Sequence, residues 1–220
     1  MTIREAVERI SSENAIELAT EYFAASETHP GTLAYTGAHF ETFSAEQNLE
    51  NTVSADDLLA VQMLAVTVSG RAALGILGDS AGEISELLAE IEPELCLEDI
   101  EDEEQFDEVL GKDSPALKLW DLLRRNDAPA QRWRVGPTTA SKIMARKRPR
   151  LIPIEDSVVN QVIQLGNQNS WRLWWEALRA DGYLKERADE VEEAVGRTDL
   201  ATLRALDIVL WMWGRESGKS

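Results

Sequence analysis

Sulfur and imidazole are scarce in this 220-residue sequence, which has one cysteine, Cys96, and two histidines, His29 and His39. A lone cysteine excludes an internal disulfide framework and any four-thiolate iron–sulfur cluster. These three side chains are too few for a His/Cys structural zinc site, so neither a metal nor a cofactor is expected. No apolar run approaches the roughly 20 residues that span a bilayer. The opening stretch MTIREAVERISSEN has no apolar signal-peptide core, so a cytoplasmic protein without membrane contact is expected.

Positive charge is also scarce, but not evenly so. The net charge is −18, and residues 1–110 hold only 3 basic side chains against 25 acidic ones. Residues 111–170 reverse the balance, with 11 basic and 5 acidic. Within 118–150, Lys118, Arg124, Arg125, Arg132, Arg134, Lys142, Arg146, Lys147, Arg148 and Arg150 face only Asp121 and Asp127. Phosphate binding follows the local field rather than the net charge, so this segment is a candidate nucleic-acid surface. The competing reading is that these cations pair with the acidic N-terminal half. That half, with its run EDIEDEEQFDE (98–108), could otherwise form a solvated face or meet a protein partner.

The apolar spacing is helical almost throughout. Three- and four-residue periodicity predicts helices at 14–25, 55–67, 82–91, 115–125, 137–147, 157–166, 171–180, 184–195 and 199–213. Ser54 with Asp57 resembles a capping box, and Pro115 and Pro137 stand where a first helical turn tolerates proline. No alternating strand pattern persists, and the fold class expected is all-α. The aromatic stretch TLAYTGAHFETF (32–43) is an extended segment or a structured loop. Within it Tyr35, His39, Phe40 and Glu41 are candidates either to line a base pocket or to enter the core. The tryptophans, among them Trp171, Trp174, Trp175, Trp211 and Trp213, are candidates for base stacking, with core packing favoured.

The densest information lies in WRVGPTTASKIMARKRPRLIPIEDSV, residues 133–158. Gly136 permits a tight turn before a helix opened by Pro137, and free N–H groups at that helix start can hold a phosphate oxygen. An apolar stretch, Leu151–Ile154, then delivers Asp156 to another helix start, where an N-cap is its simplest role. Taken together, Val135, Gly136, Thr139, Ala140 and an Asp 20 residues after Gly136 resemble the helix–hairpin–helix DNA glycosylase superfamily, over about residues 115–168. ARKRPRLIPIEDSVV (145–159) also resembles the signature of an actinobacterial family of unknown function.

The first resemblance implies a two-lobed all-α protein. One lobe would be a helical bundle over 45–150 ending in the hairpin, and the other would join 1–44 to 151–220, with the site in the cleft between them. It implies Asp156 as the catalytic carboxylate in hydrolysis of an N-glycosidic bond of a flipped base. Arg134, Val135, Gly136, Thr138, Thr139, Ala140, Lys142, Arg146, Lys147, Arg148 and Arg150 would contact DNA. Two positions depart from the family pattern: its first hairpin glycine falls on Arg134, and its Schiff-base lysine falls on Thr138. A hydroxyl cannot form an imine, so excision without strand cleavage is expected. The alternative is a non-catalytic nucleic-acid or protein-binding module that keeps the motif and uses Asp156 only as a cap.

Overall fold

The computed structural model describes residues 2–125, 128 and 132–218. Asp127, one of the two acids expected opposite the basic segment, lies outside them. The described chain is all-α. Its helices are α1 (Ile3–Glu8), α2 (Ser12–Tyr22), α3 (Ala55–Met63), α4 (Gly70–Leu74), α5 (Ala81–Ala89) and α6 (Glu103–Leu110). They continue with α7 (Pro115–Arg124), α8 (Pro137–Lys147), α9 (Ser157–Val162), α10 (Ser170–Ala180), α11 (Tyr183–Val195) and α12 (Thr202–Ser217). The stretch 32–43 contains a 3-10 turn, Thr36–His39, and Leu33 forms an isolated bridge with Ala25.

The helices begin where side chains satisfy the free N–H groups of a first turn. Thr2 and Glu5 form a reciprocal capping box on α1, and Ser54 and Asp57 form another on α3. Ser114 caps α7 ahead of Pro115. The acidic run 98–108 is partly helical: Asp102 caps α6, whose Phe106 and Leu110 are buried. Its outer face meets Arg172, which binds Glu103 and, at 3.3 Å, Asp107.

Helices α3 to α8 form one group, with α3 on α8, α5 on α7, and α7 on both α6 and α8. The remaining helices gather around α12, which touches α1, α2, α9 and α11. One continuous apolar core runs through both groups. It takes in Trp120, Trp133, Trp171, Trp174 and Trp175, so packing accounts for these five rings. Gly214 lets α12 approach α9 closely, because a Cβ there would stand 2.5 Å from Val158 and 2.7 Å from Val162.

The basic run at the end of α8 is interior. Arg146, Lys147 and Arg148 are buried, against the general tendency of long cations to remain in water. Asp57 receives Arg146 at 3.1 Å and Lys147 at 2.8 Å while its Oδ2 also accepts from Ser54 N at 2.8 Å. The rest of the Arg146 guanidinium donates to the carbonyls of Phe40, Glu41 and Phe43. Lys147 donates to Leu49 O at 2.9 Å and to the Asn48 side chain. Arg148 donates to the carbonyls of Ile91, Glu50 and Leu88 and to Asn51 Oδ1. These three side chains are therefore structural clamps on residues 40–51 and 88–91, and the expectation that they contact DNA phosphates is corrected. The competing reading, pairing with the acidic N-terminal half, describes Arg146 and Lys147, which share Asp57, whereas Arg148 is held by carbonyls and Asn51.

Burial alone would raise the Asp57 pKa. Hydrogen bonds from Lys147 and the Ser54 backbone, together with the Lys147 charge, outweigh it and hold the carboxyl below its ordinary value. Its stabilising contribution is therefore complete above the unfolded-state pKa of about 4 and is lost as pH falls through the lower folded value. Removing it at neutral pH leaves two buried cations uncompensated. Asp57→Ala is expected to destabilise the fold by about 3–5 kcal/mol, read from urea unfolding at pH 7. A loss under 1 kcal/mol would show that backbone carbonyls alone suffice for Arg146 and Lys147.

Candidate active site

A cavity of about 620 Å³ opens between α8, α9 and α12 on one side and α2, the 34–37 turn and the end of α3 on the other. That volume lies in the range of small-molecule sites. Asp156 is on its wall. Asp156 is the N-cap of α9, where its Oδ1 accepts the Val158 N–H at 3.0 Å, so the capping role read from the sequence is real. Its other oxygen faces Lys142 Nζ at 3.1 Å. Capping and lining the cavity thus use different oxygens of the same carboxylate.

Lys142 and Thr138 both line the cavity, one helical turn apart on α8. The Lys142 nitrogen also donates to Leu64 O at 2.8 Å, tying α8 to the end of α3. Ala65, next in the chain, has φ 58° and is also at the cavity wall. A left-handed alanine of this kind is a local strain held by its surroundings.

The aromatic wall consists of Tyr22, Tyr35 and Trp211. The two tyrosines stack at 5.3 Å, and Trp211 meets each ring edge-on, at 6.1 and 5.7 Å. Arg215 lies over Tyr35 and Trp211. Behind the wall, buried Arg204 donates to Glu41 at 2.6 Å, Asp207 Oδ2 at 2.6 Å, Tyr22 Oη at 2.8 Å and Gly37 O at 3.0 Å. Burial works against the Arg204 charge, but Tyr22, Glu41 and Asp207 outweigh it and hold its pKa above the usual guanidinium range. Asp207 is buried at the cavity wall. Burial, opposed by Arg204 and reinforced by the Asp156 charge, raises its pKa to about 6.

The structure divides the residues expected at the site. Asp156, Lys142, Thr138 and Tyr35 meet in this cavity. Phe40 and Glu41 line a separate cavity of about 250 Å³ with Arg146, Ile152 and Leu203. His39 is half-buried at the end of the 3-10 turn and lines neither, so the expected grouping of Tyr35, His39, Phe40 and Glu41 in one pocket is corrected. Val135 and Ala140 are buried, Thr139 is half-buried and Gly136 caps α8. Residues 132–136, ahead of α8, are non-helical, a longer approach than the tight helix-to-helix turn expected at Gly136. Arg132 and Arg134 are exposed, and Arg150 is exposed and 3.1 Å from Glu94. Arg134, standing where the resembled motif has glycine, has φ 63°, a backbone conformation that favours glycine.

Sequence reasoning missed Tyr22, Arg204, Asp207 and Arg215. A signal existed for two of them: Arg204 and Asp207 stand three apart in the otherwise apolar run ATLRALDIVLWMW, where a polar pair on one helix face implies a buried partner set. Among the described residues no group of three or more His, Cys, Asp or Glu could hold a metal ion, and no helix is long and apolar enough to cross a membrane.

The described chain is thus all-α, with a carboxylate–ammonium pair in an aromatic-walled cavity. The chain belongs to a family of unknown function (DUF6308), which matches residues 15–214. No curated protein and no solved structure matches it.

The Asp207 carboxyl is expected to titrate near pH 6 in a carbon-13 NMR titration. A folded pKa above the unfolded value of about 4 means the folded state holds the proton more tightly. This group's contribution to stability is therefore greatest below pH 4 and falls as pH rises toward 6. A titration near 4 would mean that the Arg204 charge outweighs burial.

Proposed function

We propose that this chain is a monofunctional base-excising hydrolase, cleaving the N-glycosidic bond of a nucleobase held in the cavity. The reading is carried by one observation: Asp156 and Thr138 line a single aromatic-walled cavity, at the positions where the helix–hairpin–helix glycosylase resemblance has its catalytic carboxylate and its nucleophilic lysine. The left-handed Arg134 at the motif's glycine position adds to it.

In such a reaction the base leaves with the bonding electrons and positive charge develops at the anomeric carbon. The Asp156 carboxylate stabilises that charge and orients or deprotonates the attacking water. Among the described residues lining the cavity the one lysine, Lys142, is tied to Leu64 O and Asp156, and Thr138 carries a hydroxyl, so water is the nucleophile. The products are a free base and an intact abasic site. A base reaches the cavity only when flipped from the stack. With Arg146, Lys147 and Arg148 internal, the cations left to meet a DNA backbone are those before α8, led by the exposed Lys118, Arg132 and Arg134.

The second reading is a non-catalytic nucleic-acid or protein-binding module. The Lys142–Asp156 pair favours it, because it occupies one carboxylate oxygen. Single-turnover excision on a panel of modified-base oligonucleotides, with and without alkali, separates the two. Asp156→Asn is expected to lower the excision rate at least about a hundredfold, comparable to losing one preorganised charge-stabilising group, while DNA binding persists. Full activity in that variant would remove Asp156 from catalysis. Strand nicking without alkali would contradict the argument from Thr138, and absence of excision on the whole panel would leave the binding module.

Binding itself is expected to weaken steeply with salt. Arg132→Ala should reduce the log–log salt slope by about one. An unchanged slope would place the DNA contact elsewhere.

A further inference from the structure

We propose that Asp207 is the recognition group of the cavity, accepting a hydrogen bond from the exocyclic amino group of a nucleobase lying against the Tyr35–Trp211 wall. The inference rests on the excision reading only in taking a nucleobase as the ligand. Asp207 is 6% exposed and lines the cavity. Its Oδ2 is fixed by Arg204 at 2.6 Å, and Arg204 is itself immobilised by Glu41, Tyr22 and the Gly37 carbonyl. The carboxyl group therefore cannot swing, and its Oδ1, buried, has no hydrogen-bond partner. A buried carboxylate oxygen demands a donor, and a ligand offering a carbonyl at that point meets repulsion instead. Trp211, one turn along α12 from Asp207 and also on the cavity wall, supplies aromatic surface for a planar ring, with the Arg215 guanidinium over one of its faces. Amino-bearing bases satisfy both demands, and bases with a carbonyl at the same ring position satisfy only the second.

Two matched pairs of ligands test this by calorimetric titration at pH 7.5: 2′-deoxyadenosine against 2′-deoxyinosine, and 2′-deoxycytidine against 2′-deoxyuridine. Each pair exchanges an amino group for a carbonyl at one ring position. Wild type is expected to bind the amino member at least about tenfold more tightly, since a site built to bond a donor rejects the analogue lacking it. In Asp207→Asn the amide oxygen keeps Arg204 as its donor and the NH₂ turns into the cavity. The preference should then vanish or invert toward the carbonyl members. A merely structural Asp207 would produce loss of binding without inversion. Should Asp207→Asn fail to fold by circular dichroism, the wild-type comparison decides alone.

Equal affinities within each pair, no detectable binding of any of the four nucleosides, or an unchanged preference in Asp207→Asn would overturn the proposal. A clear amino preference with no excision on the oligonucleotide panel would uphold the recognition role and discard the hydrolase reading. Excision proceeding without any amino preference would do the reverse.

Discussion

One carboxylate, Asp57, receives two buried cations from a helix ninety residues away in sequence, and the placement of the site depends on that contact. The Ser54 capping box fixes the Asp57 side chain at the start of α3, independently of the cations it accepts. Arg146 and Lys147 close the last turn of α8, where cations complement the helix dipole, and Asp57 complements the opposite dipole of the α3 start. At the other end of the pair, Lys142 reaches the Leu64 carbonyl just beyond α3. The two helices are therefore clamped antiparallel, with both ends of α3 held by the second half of α8. Buried ion pairs of this kind are modest contributors to stability when intact and costly to break, and their effect is to enforce one arrangement. That arrangement turns Thr138 and Lys142 into the cavity and Arg146 toward the smaller one.

The same contact rewrites the charge distribution inferred from composition. The 111–170 segment carries an excess of cations, yet Lys142, Arg146, Lys147 and Arg148 are interior. Arg124 and Arg125 lie over the rings of Trp120 and Trp133. The surface is accordingly more acidic than the sequence map suggests, and the exposed cations of this segment include Lys118, Arg132 and Arg134, ahead of α8.

Most helices were legible because their starts are written in local chemistry: Ser54 with Asp57, Pro115 after Ser114, Pro137 after Gly136, and Asp156 before Ser157. Asp156 at a helix start was readable for the same reason. The short helices α1 and α4 escaped because too few turns exist to show a period, and α6 was masked by its acidic outer face. The direction of the Arg146–Arg148 side chains was illegible, since their acceptors are mostly carbonyls from segments 57 to 106 residues distant, which leave no trace in side-chain pattern. The cavity's inner wall was hidden similarly. Arg204 and Asp207 are neighbours on one helix, but their partners Tyr22 and Gly37 come from the opposite end of the chain.

Because Arg146 and Arg148 are held largely by main-chain oxygen, the two sides of each clamp are under unequal demand. A carbonyl is supplied by any residue, so positions such as Phe43, Glu50 and Leu88 can change identity without withdrawing the acceptor. The guanidinium has no such substitute, because lysine lacks the planar fork that reaches several carbonyls at once. Drift among relatives should therefore run freely through the grasped loops and stall at the grasping residues. The stretch around Arg146–Arg148 would then act as a family signature for reasons of architecture, whatever chemistry the neighbouring cavity performs.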